Sequence, residues 1–220
     1  MEVGSQEWRA LLVEGAAQVG IPLNASQAGQ MGLHARALLE WNRKINLTAI
    51  TDPQQVAIKH FLDAIVPLPY VPIQGPLLDI GTGGGFPGLP LKIMRPQQPM
   101  TLIDASRKKI NFVKLVIRHL TLPLVDAHQC RVEEFRSRVE NRERYQAIVT
   151  RAFANIETVA RMASDLLAPE GRIIIYQGPG EETRRIQDGT VAGALKVLKT
   201  IDYQLPLIHD RRKLVVMGKG

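Results

Sequence analysis

The sequence predicts an α/β protein in which a helical N-terminal part precedes a mostly parallel β-sheet that ends in an antiparallel pair. Three observations predict this fold class. Apolar residues recur at spacings of three and four up to about residue 66. After Pro76, short apolar runs alternate with helical patterns, as in parallel strands joined by crossover helices. The last two apolar runs are separated by a polar turn too short for a crossover, which indicates a hairpin.

Three helices are predicted in the N-terminal part. Ser5 can cap the first helix, and Thr51 or Asp52 can cap the third, which then has Pro53 at its first position. The predicted helices cover residues 5–20, 26–46 and 51–66.

A cluster of prolines and one glycine interrupts the chain between residues 67 and 76. Such residues punctuate regular structure, so this stretch predicts a boundary between two units. We expect a helical extension over residues 1–72 and a sheet-containing domain over residues 73–220.

The second unit is expected to contain seven strands and three helices. The polar turn before the last strand is His209-Asp210-Arg211. The predicted strands are Leu77–Ile80, Met100–Asp104, Leu124–Ala127, Ala147–Thr150, Arg172–Tyr176, Ile201–Leu205 and Leu214–Met217, and the helices cover about 87–95, 106–120 and 155–168.

The composition disfavours several classes of protein. Aromatic residues make up 5% of the chain, too few for a nucleic-acid module that works mainly by base stacking. The uncharged stretch from Ala64 to Leu78 contains four prolines and is shorter than the about 20 apolar residues of a spanning helix. No signal peptide is visible, so we expect a cytoplasmic protein without a membrane association. The single Cys130 cannot form an internal disulfide or a zinc cluster, and we expect no metal site and a monomer.

Positive charge is concentrated in one part of the chain. The formal net charge of the chain is +7. Most of this excess lies between Arg107 and Arg151, a stretch that holds eleven basic and five acidic side chains. A solvated helix face is one reading of the run that contains Lys108 and Lys109. The other is a polyanion partner, because cations that neutralise phosphates gain free energy from counterion release.

A glycine-rich turn follows the first predicted strand, with Gly-Thr-Gly-Gly-Gly-Phe-Pro-Gly over residues 81–88. Glycines such as Gly81, Gly83 and Gly85 let ligand atoms approach the backbone where a Cβ would collide. From Gly83 onward the letters also satisfy the dinucleotide pattern G-x-G-x-x-G. The turn alone therefore leaves open NAD, S-adenosylmethionine, or no ligand.

Two aspartates at strand ends bear on this choice. Asp79 lies two residues before the first glycine, where it can face the ammonium or sulfonium region of S-adenosylmethionine, whereas the pyrophosphate of NAD would be repelled. Asp104 ends the next strand and can accept two hydrogen bonds from ribose hydroxyls of either cofactor. Alternatively, Asp104 caps the helix that begins near Arg107.

The chain resembles one family along most of its length. Seven blocks carry the resemblance: WNRKINLTAI (41–50), HFLDAI (60–65), LLDIGTGGGFPGLPLKI (77–93), LIDASRKKINFVK (102–114), RVEEF (131–135), TRAFA (150–154) and RRKLVVMGK (211–219). They are similar, in the same order, to blocks of the small-subunit ribosomal RNA methyltransferase G family, also called glucose-inhibited division protein B. The Gly-Gly-Gly-Phe-Pro-Gly-Leu-Pro block is much more specific than a generic methyltransferase loop.

This resemblance implies a class I S-adenosylmethionine-dependent methyltransferase with a Rossmann-like sheet. The implied reaction transfers a methyl group to N7 of guanine 527 in the 530 loop of 16S ribosomal RNA. The implied partner is 16S rRNA, in the small ribosomal subunit or an assembly intermediate. The positions that match the family's cofactor-binding residues are Gly81, Phe86, Val132, Glu133 and Arg151.

Three arginines are candidates for positioning the reactants. Arg131, Arg151 and Arg212 follow or flank strands, so they can converge on the cleft at the carboxyl ends of the sheet. Their guanidinium groups can donate to phosphate or to guanine O6. Guanine N7 already carries a free lone pair, so we expect no general base. We assign RNA contacts to Arg131, Arg212, Lys108 and Lys109.

Other acceptors fit the residues less well. Methylation at carbon 5 of a pyrimidine needs a thiolate, and Cys130 is expected to be a small buried side chain. Amino-group methylation usually shows Asn or Asp followed by Pro-Pro and an aromatic after the fourth strand, where this chain has Thr150-Arg151-Ala152-Phe153. Two other functions stay open: an NAD-dependent oxidoreductase, and an inactive module that binds RNA or the ribosome.

Overall fold

A computed structural model describes residues 1–138, 140, 142–151, 155–178 and 195–219. Its N-terminal part is helical, as the apolar spacing predicts. The elements are α1 (Gln6–Gln18), α2 (Ala25–Asn42), α3 (Pro53–Val56), a π-helix (Ala57–Leu62), α4 (Asp63–Ile65) and a 3-10 turn (Leu68–Tyr70). The segment from α3 to α4 is continuous, with the π-helix in its middle.

Local hydrogen bonds explain where these helices begin and end. Ser5 caps α1 and Asp52 caps α3 with Pro53 at its first position, as predicted. The predicted end of α2 at residue 46 is wrong. The Asn42 side chain accepts from the backbone N–H of Thr48 at 3.0 Å and donates to the Thr48 carbonyl at 2.8 Å, which turns the chain away from the helix axis.

Seven strands form one sheet in the order β3-β2-β1-β4-β5-β7-β6. The first five strands are parallel, and β7 is antiparallel to both β5 and β6. The predicted mostly parallel sheet with an antiparallel C-terminal pair is confirmed. The strands are β1 (Leu77–Ile80), β2 (Met100–Asp104), β3 (Val125–Gln129), β4 (Tyr145–Arg151), β5 (Leu167–Gln177), β6 (Leu195–Gln204) and β7 (Arg211–Lys219).

Four helices connect the parallel strands: α5 (Gly88–Met94), α6 (Arg107–His119), α7 (Val132–Ser137) and α8 (Ile156–Ala163). Helix α7 was not predicted, because its six residues are too few to show a helical period. None of the helices in the described residues is long and apolar enough to cross a membrane.

Helices cover both faces of the sheet. Alternate strand residues such as Leu77 and Leu102 face a core shared by the N-terminal helices, α5 and α6. Leu78 and Ile103 face the second core, which contains α7 and α8. The N-terminal helices thus pack against the sheet, while the division at residue 72 stays a prediction.

Candidate active site

The carboxyl ends of β1, β2 and β3 surround a cavity of about 370 Å³. In open α/β sheets, ligands bind at this edge where the strand order reverses, and here it reverses between β1 and β4. The cavity is lined by Ile80, Gly81, Ile103, Asp104, Ala105, Lys109, Cys130, Arg131, Val132 and Glu133. Six of the sequence-predicted site residues therefore meet in one place, together with Cys130.

Three glycines of the turn between β1 and α5 have a left-handed backbone conformation, which residues other than glycine rarely adopt. Gly81, Gly83 and Gly85 have φ angles of 74°, 57° and 89°. A Cβ on Gly83 would meet open space apart from the Gly81 carbonyl, so this position is constrained by its backbone conformation. A Cβ on Gly85 would collide with the Leu89 side chain, so this position is constrained by packing as well.

Asp104 ties the glycine turn to the end of β2. One carboxylate oxygen accepts from the Gly83 N–H at 3.0 Å, and the other accepts from the Ser106 N–H at 2.8 Å. Ser106, rather than Asp104, caps α6. Each carboxylate oxygen can accept a second hydrogen bond, so Asp104 keeps capacity for the two ribose hydroxyls of a nucleoside.

Asp79 lies beneath the glycine turn and is fully buried. Its Oδ2 accepts from the Thr82 hydroxyl at 2.6 Å and from the Gly88 N–H at 2.9 Å. Among the described residues Oδ1 has no hydrogen-bond partner. Burial raises the pKa of Asp79 to about 7. A buried carboxylate with one unpartnered oxygen fits the cationic end of S-adenosylmethionine, because a cation would hold the carboxylate ionised.

The loop after β3 forms the third wall of the cavity. Arg131 precedes α7, and Val132 and Glu133 are the first residues of this helix rather than part of a loop. The Cys130 thiol is buried, and burial raises its pKa. The apolar side chains of this wall suit a purine ring, and the protonated thiol does not suit nucleophilic attack.

Phe86 lies behind the glycine turn rather than on the cavity wall. Its ring stacks against those of His34, at a centroid distance of 4.8 Å, and His60, at 4.7 Å. His34 is a site residue that the sequence did not reveal. Its Nε2 lies 2.8 Å from the Gly84 carbonyl oxygen, so α2 holds the turn directly. Contact of Phe86 with a cofactor stays a prediction.

Arg151 ends β4 and joins the sheet to the π-helix. Its guanidinium donates to the Lys59 carbonyl at 2.9 Å and lies 3.5 Å from Asp63 Oδ2. It also lies 3.3 Å from His60 Nδ1 and over the Phe86 ring. The rings of His34, His60 and Phe86 form an aromatic cluster. Arg151 is therefore packed between this cluster and the N-terminal helices.

His60 is held as a neutral imidazole by these neighbours. Burial and the Arg151 charge lower its pKa to about 3. Because arginine only donates, Nδ1 accepts from Arg151, and Nε2 donates to Thr48 Oγ1 over 2.8 Å. Both ring nitrogens are thereby engaged.

The remaining predicted RNA contacts lie around this edge. Arg212 lies near the start of β7, where it forms an ion pair with Asp210 at 3.7 Å. Lys108 is exposed on α6, and Lys109 lines the cavity. Ala152 and Phe153 of the block after β4 lie outside the described residues. The structure brings Arg131 to the cavity, Arg151 to the rings of Phe86 and His60, and Arg212 to the antiparallel end of the sheet.

Comparison with known sequences gives full-length relatives. A family model described as rRNA small subunit methyltransferase G matches residues 27–215. Ribosomal RNA small subunit methyltransferase G of Geobacter sp. (strain M21) is 41% identical over 217 residues, which cover 98% of this chain and 99% of the relative. The protein of the same name from Desulforamulus reducens is 36% identical over 212 residues, 94% of this chain and 88% of the relative.

Comparison with solved structures concerns the fold alone, because the identities are low. A SAM-dependent methyltransferase from Aquifex aeolicus aligns with a TM-score of 0.56 at 14% identity, over 76% of this chain and 93% of its own. A ribosomal protein L11 methylase from Lactobacillus delbrueckii subsp. bulgaricus aligns with a TM-score of 0.57 at 10% identity, over 77% and 80%. The expected Rossmann-like methyltransferase fold is confirmed.

Proposed function

The chain belongs to the rRNA small subunit methyltransferase G family, and from this premise we propose that it methylates N7 of guanine 527 in the 530 loop of 16S rRNA with S-adenosylmethionine. The observation that carries the proposal is the cavity at the carboxyl ends of β1 to β3, where the glycine turn and Asp104 meet. Family membership favours methyl transfer over the NAD-dependent alternative. The substrate is 16S rRNA in the small subunit or an assembly intermediate.

The residues in and around the cavity fit S-adenosylmethionine part by part. Asp104 would hold the ribose, Val132 and Glu133 the adenine, and the turn from Gly81 to Gly85 the methionine portion. Asp79 would face the cationic end from beneath the turn. When bound, the cofactor supplies an electrophilic methyl group on a sulfonium, so the protein has mainly to align the acceptor with it.

The groups around Arg151 support an acceptor that needs no deprotonation. Burial keeps His60 neutral with both ring nitrogens engaged. Asp63 accepts from the Tyr203 hydroxyl at 2.6 Å through one oxygen and faces Arg151 through the other. Burial and the neighbouring Asp63 raise the pKa of Tyr203 above its ordinary value, so its hydroxyl stays protonated. Guanine N7 suits such a site because its lone pair is free at neutral pH.

The role of the arginines is then to position the RNA and the cofactor, not to take part in the reaction. A methylated N7 leaves a cationic ring, so a guanidinium directly at N7 would oppose the reaction. Arg131 and Arg212 are therefore assigned to phosphates or to guanine O6, and Arg151 to the cofactor and the placement of His60.

The proposal is tested by mapping methylated nucleotides in 16S rRNA by mass spectrometry. The purified protein is incubated with S-adenosylmethionine and with small subunits from cells that lack the gene. We expect one new 7-methylguanosine in the 530 loop. A methyl group on another base, or no methylation, would contradict the proposed specificity, and RNA binding without methylation would favour the inactive module.

A further inference from the structure

We propose that a groove beside the cofactor cavity binds the RNA backbone of the substrate; this inference rests on the proposed function. The groove lies between α6 and the edge strand β3, and Trp41 at the end of α2 closes one side. Its volume is about 630 Å³. Its lining includes Trp41, Lys114, Arg118 and Asp126.

The charge on α6 fits a polyanion. The helix carries five lysines and arginines and no acidic residue. Lys114 and Arg118 are exposed, lie one turn apart on the groove side, and form no ion pair with the described residues. Asp126 is the acidic side chain that lines the groove with them. Two unpaired cations against one carboxylate leave the groove positive.

Two half-buried lysines of the sheet are paired with carboxylates. On β7, Lys213 lies 3.9 Å from Asp202, and Lys219 lies 2.6 Å from Glu143. These two lysines of β7 have a carboxylate as a neighbour, whereas Lys114 and Arg118 form no ion pair among the described residues. Arg43 and Lys44, at the end of α2, are exposed as well and extend the positive surface beyond Trp41.

Trp41 adds a contact that a plain charged helix face would lack. Its ring is half-buried, with its centroid 5.7 Å from that of Phe112, and it lines the groove. The other tryptophan, Trp8, is fully buried and donates its Nε1–H to the Pro53 carbonyl. A fixed indole beside unpaired cations suits single-stranded RNA, whose bases stack on aromatic rings.

The groove and the cofactor cavity lie along the same helix, α6. Helix α6 contributes Lys109 to the cavity and Lys114 and Arg118 to the groove. Strand β3 lines the groove, and Cys130, the residue after its end, lines the cavity. The helix rises about 14 Å between Lys109 and Arg118. RNA next to a guanine placed for methylation could therefore follow α6 without leaving the protein surface.

The inference is tested by measuring the affinity of the full chain for a 16S rRNA transcript at several salt concentrations. The groove variant is Lys114→Ala with Arg118→Ala. The control variant, Lys196→Ala with Lys199→Ala, removes the same charge from β6 at the opposite sheet edge. Losing two phosphate contacts should flatten the salt dependence by about 1.4 to 1.8 log units in the groove variant only. In addition, RNA should change the tryptophan fluorescence of the parent but not of Trp41→Phe.

Cofactor affinity and far-UV circular dichroism establish that each variant is folded. The proposed groove would be contradicted if the parent and the groove variant had equal salt slopes, or if both charge variants lost the same RNA affinity. It would also be contradicted if RNA left the tryptophan fluorescence of the parent unchanged. Methylation of small subunits by the parent tests the proposed function separately. A groove variant with a raised KM and an unchanged kcat would support both.

Discussion

At the scale of single residues, two carboxylates near the carboxyl ends of neighbouring strands differ in the hydrogen-bonding capacity that they leave free. Asp104 accepts backbone N–H groups with both oxygens and keeps a free lone pair on each. Asp79 uses a single oxygen for Thr82 and Gly88 and leaves the other buried and unpartnered. The first arrangement suits hydroxyl donors and the second suits a cation.

Replacing Asp104 with Ala should weaken S-adenosylmethionine binding by about 30-fold to 1,000-fold, because two hydrogen bonds to an ionised acceptor cost roughly 2 to 4 kcal/mol. Calorimetric titration measures the loss. The glycine turn also loses its tie to Gly83, so circular dichroism must show that the variant is folded. If the variant bound the cofactor as tightly as the parent, the assignment of Asp104 to the ribose hydroxyls would be wrong.

Binding of the cationic cofactor should release a proton from Asp79. With a pKa of about 7, this carboxyl is largely protonated at pH 6 in the free protein, and a neighbouring cation favours the ionised form. Affinity should therefore fall as the pH drops below 7. Calorimetry at pH 6 in two buffers of different ionisation enthalpy measures the proton, and Asp79→Asn should abolish the buffer dependence. The same heat in both buffers for the parent would show that no cation reaches Asp79.

At the scale of elements, the N-terminal helices hold the glycine turn from behind. His34 on α2 contacts the Gly84 carbonyl, and a Cβ on Gly84 would lie only 3.0 Å from Leu38. Burial lowers the pKa of His34 to about 4, so its neutral ring donates through Nε2. The N-terminal helices therefore contribute to the geometry of the glycine turn.

Breaking this contact should weaken cofactor binding without touching the cavity. We expect His34→Leu to lose about 2-fold to 10-fold in affinity, the equivalent of about one hydrogen bond. His34→Gln can still donate to the Gly84 carbonyl and should recover part of the loss. Titration calorimetry compares the three proteins. If Leu and Gln at this position bind the cofactor alike, the Gly84 contact plays no part in cofactor binding.

The sequence predicted those elements whose signal is local. Strand β1 and its glycine turn are adjacent in the chain. Ser5 caps α1, and Pro53 occupies the first position of α3, so both indicate where a helix begins within a few residues of sequence. Helix α7 was missed because six residues carry too little period. The true end of α2 depends on the side chain of Asn42 bonding six residues ahead, which no apolar pattern reports.

At the scale of the whole molecule, the site could be predicted where parallel strands end, since topology brings those ends together. The contacts that complete it could not. His34 lies 50 positions before Gly84, and Arg151 lies 92 positions after Lys59. A lone histidine and a lone arginine give no sequence signal for such pairs, because only the packing of the N-terminal helices against the sheet makes them neighbours.

The buried titratable groups predict how stability changes with pH in the cofactor-free protein. Between about pH 4.5 and 6, His34 and His60 are protonated in the unfolded protein and neutral in the folded protein. Asp79 behaves in the opposite way, because its carboxyl is protonated in the folded protein and ionised in the unfolded protein. The histidines therefore destabilise the folded state as the pH falls, and Asp79 opposes half of this effect. The free energy of unfolding should drop by about 1.4 kcal/mol per pH unit.

Urea denaturation at pH 4.5, 5.2 and 6 measures this slope. Asp79→Asn removes the opposing group, so its slope should be about twice that of the parent, while His34→Gln should be nearly independent of pH. Parallel curves for the parent and Asp79→Asn would mean that Asp79 does not hold a proton in the folded protein.

The central claim is methyl transfer to a ring nitrogen that needs no general base. Single-turnover methylation of small subunits lacking this methyl group, at saturating cofactor and RNA, tests it most directly. The account predicts a rate that is nearly flat between about pH 6.5 and 8.5, little changed in Cys130→Ala, and not abolished in His60→Ala, since His60 is neutral throughout this range. Arg151→Ala should lose rate through misplacement of the reactants. A loss of 100-fold or more in folded Cys130→Ala, or in His60→Ala with a titrating rate, would contradict it.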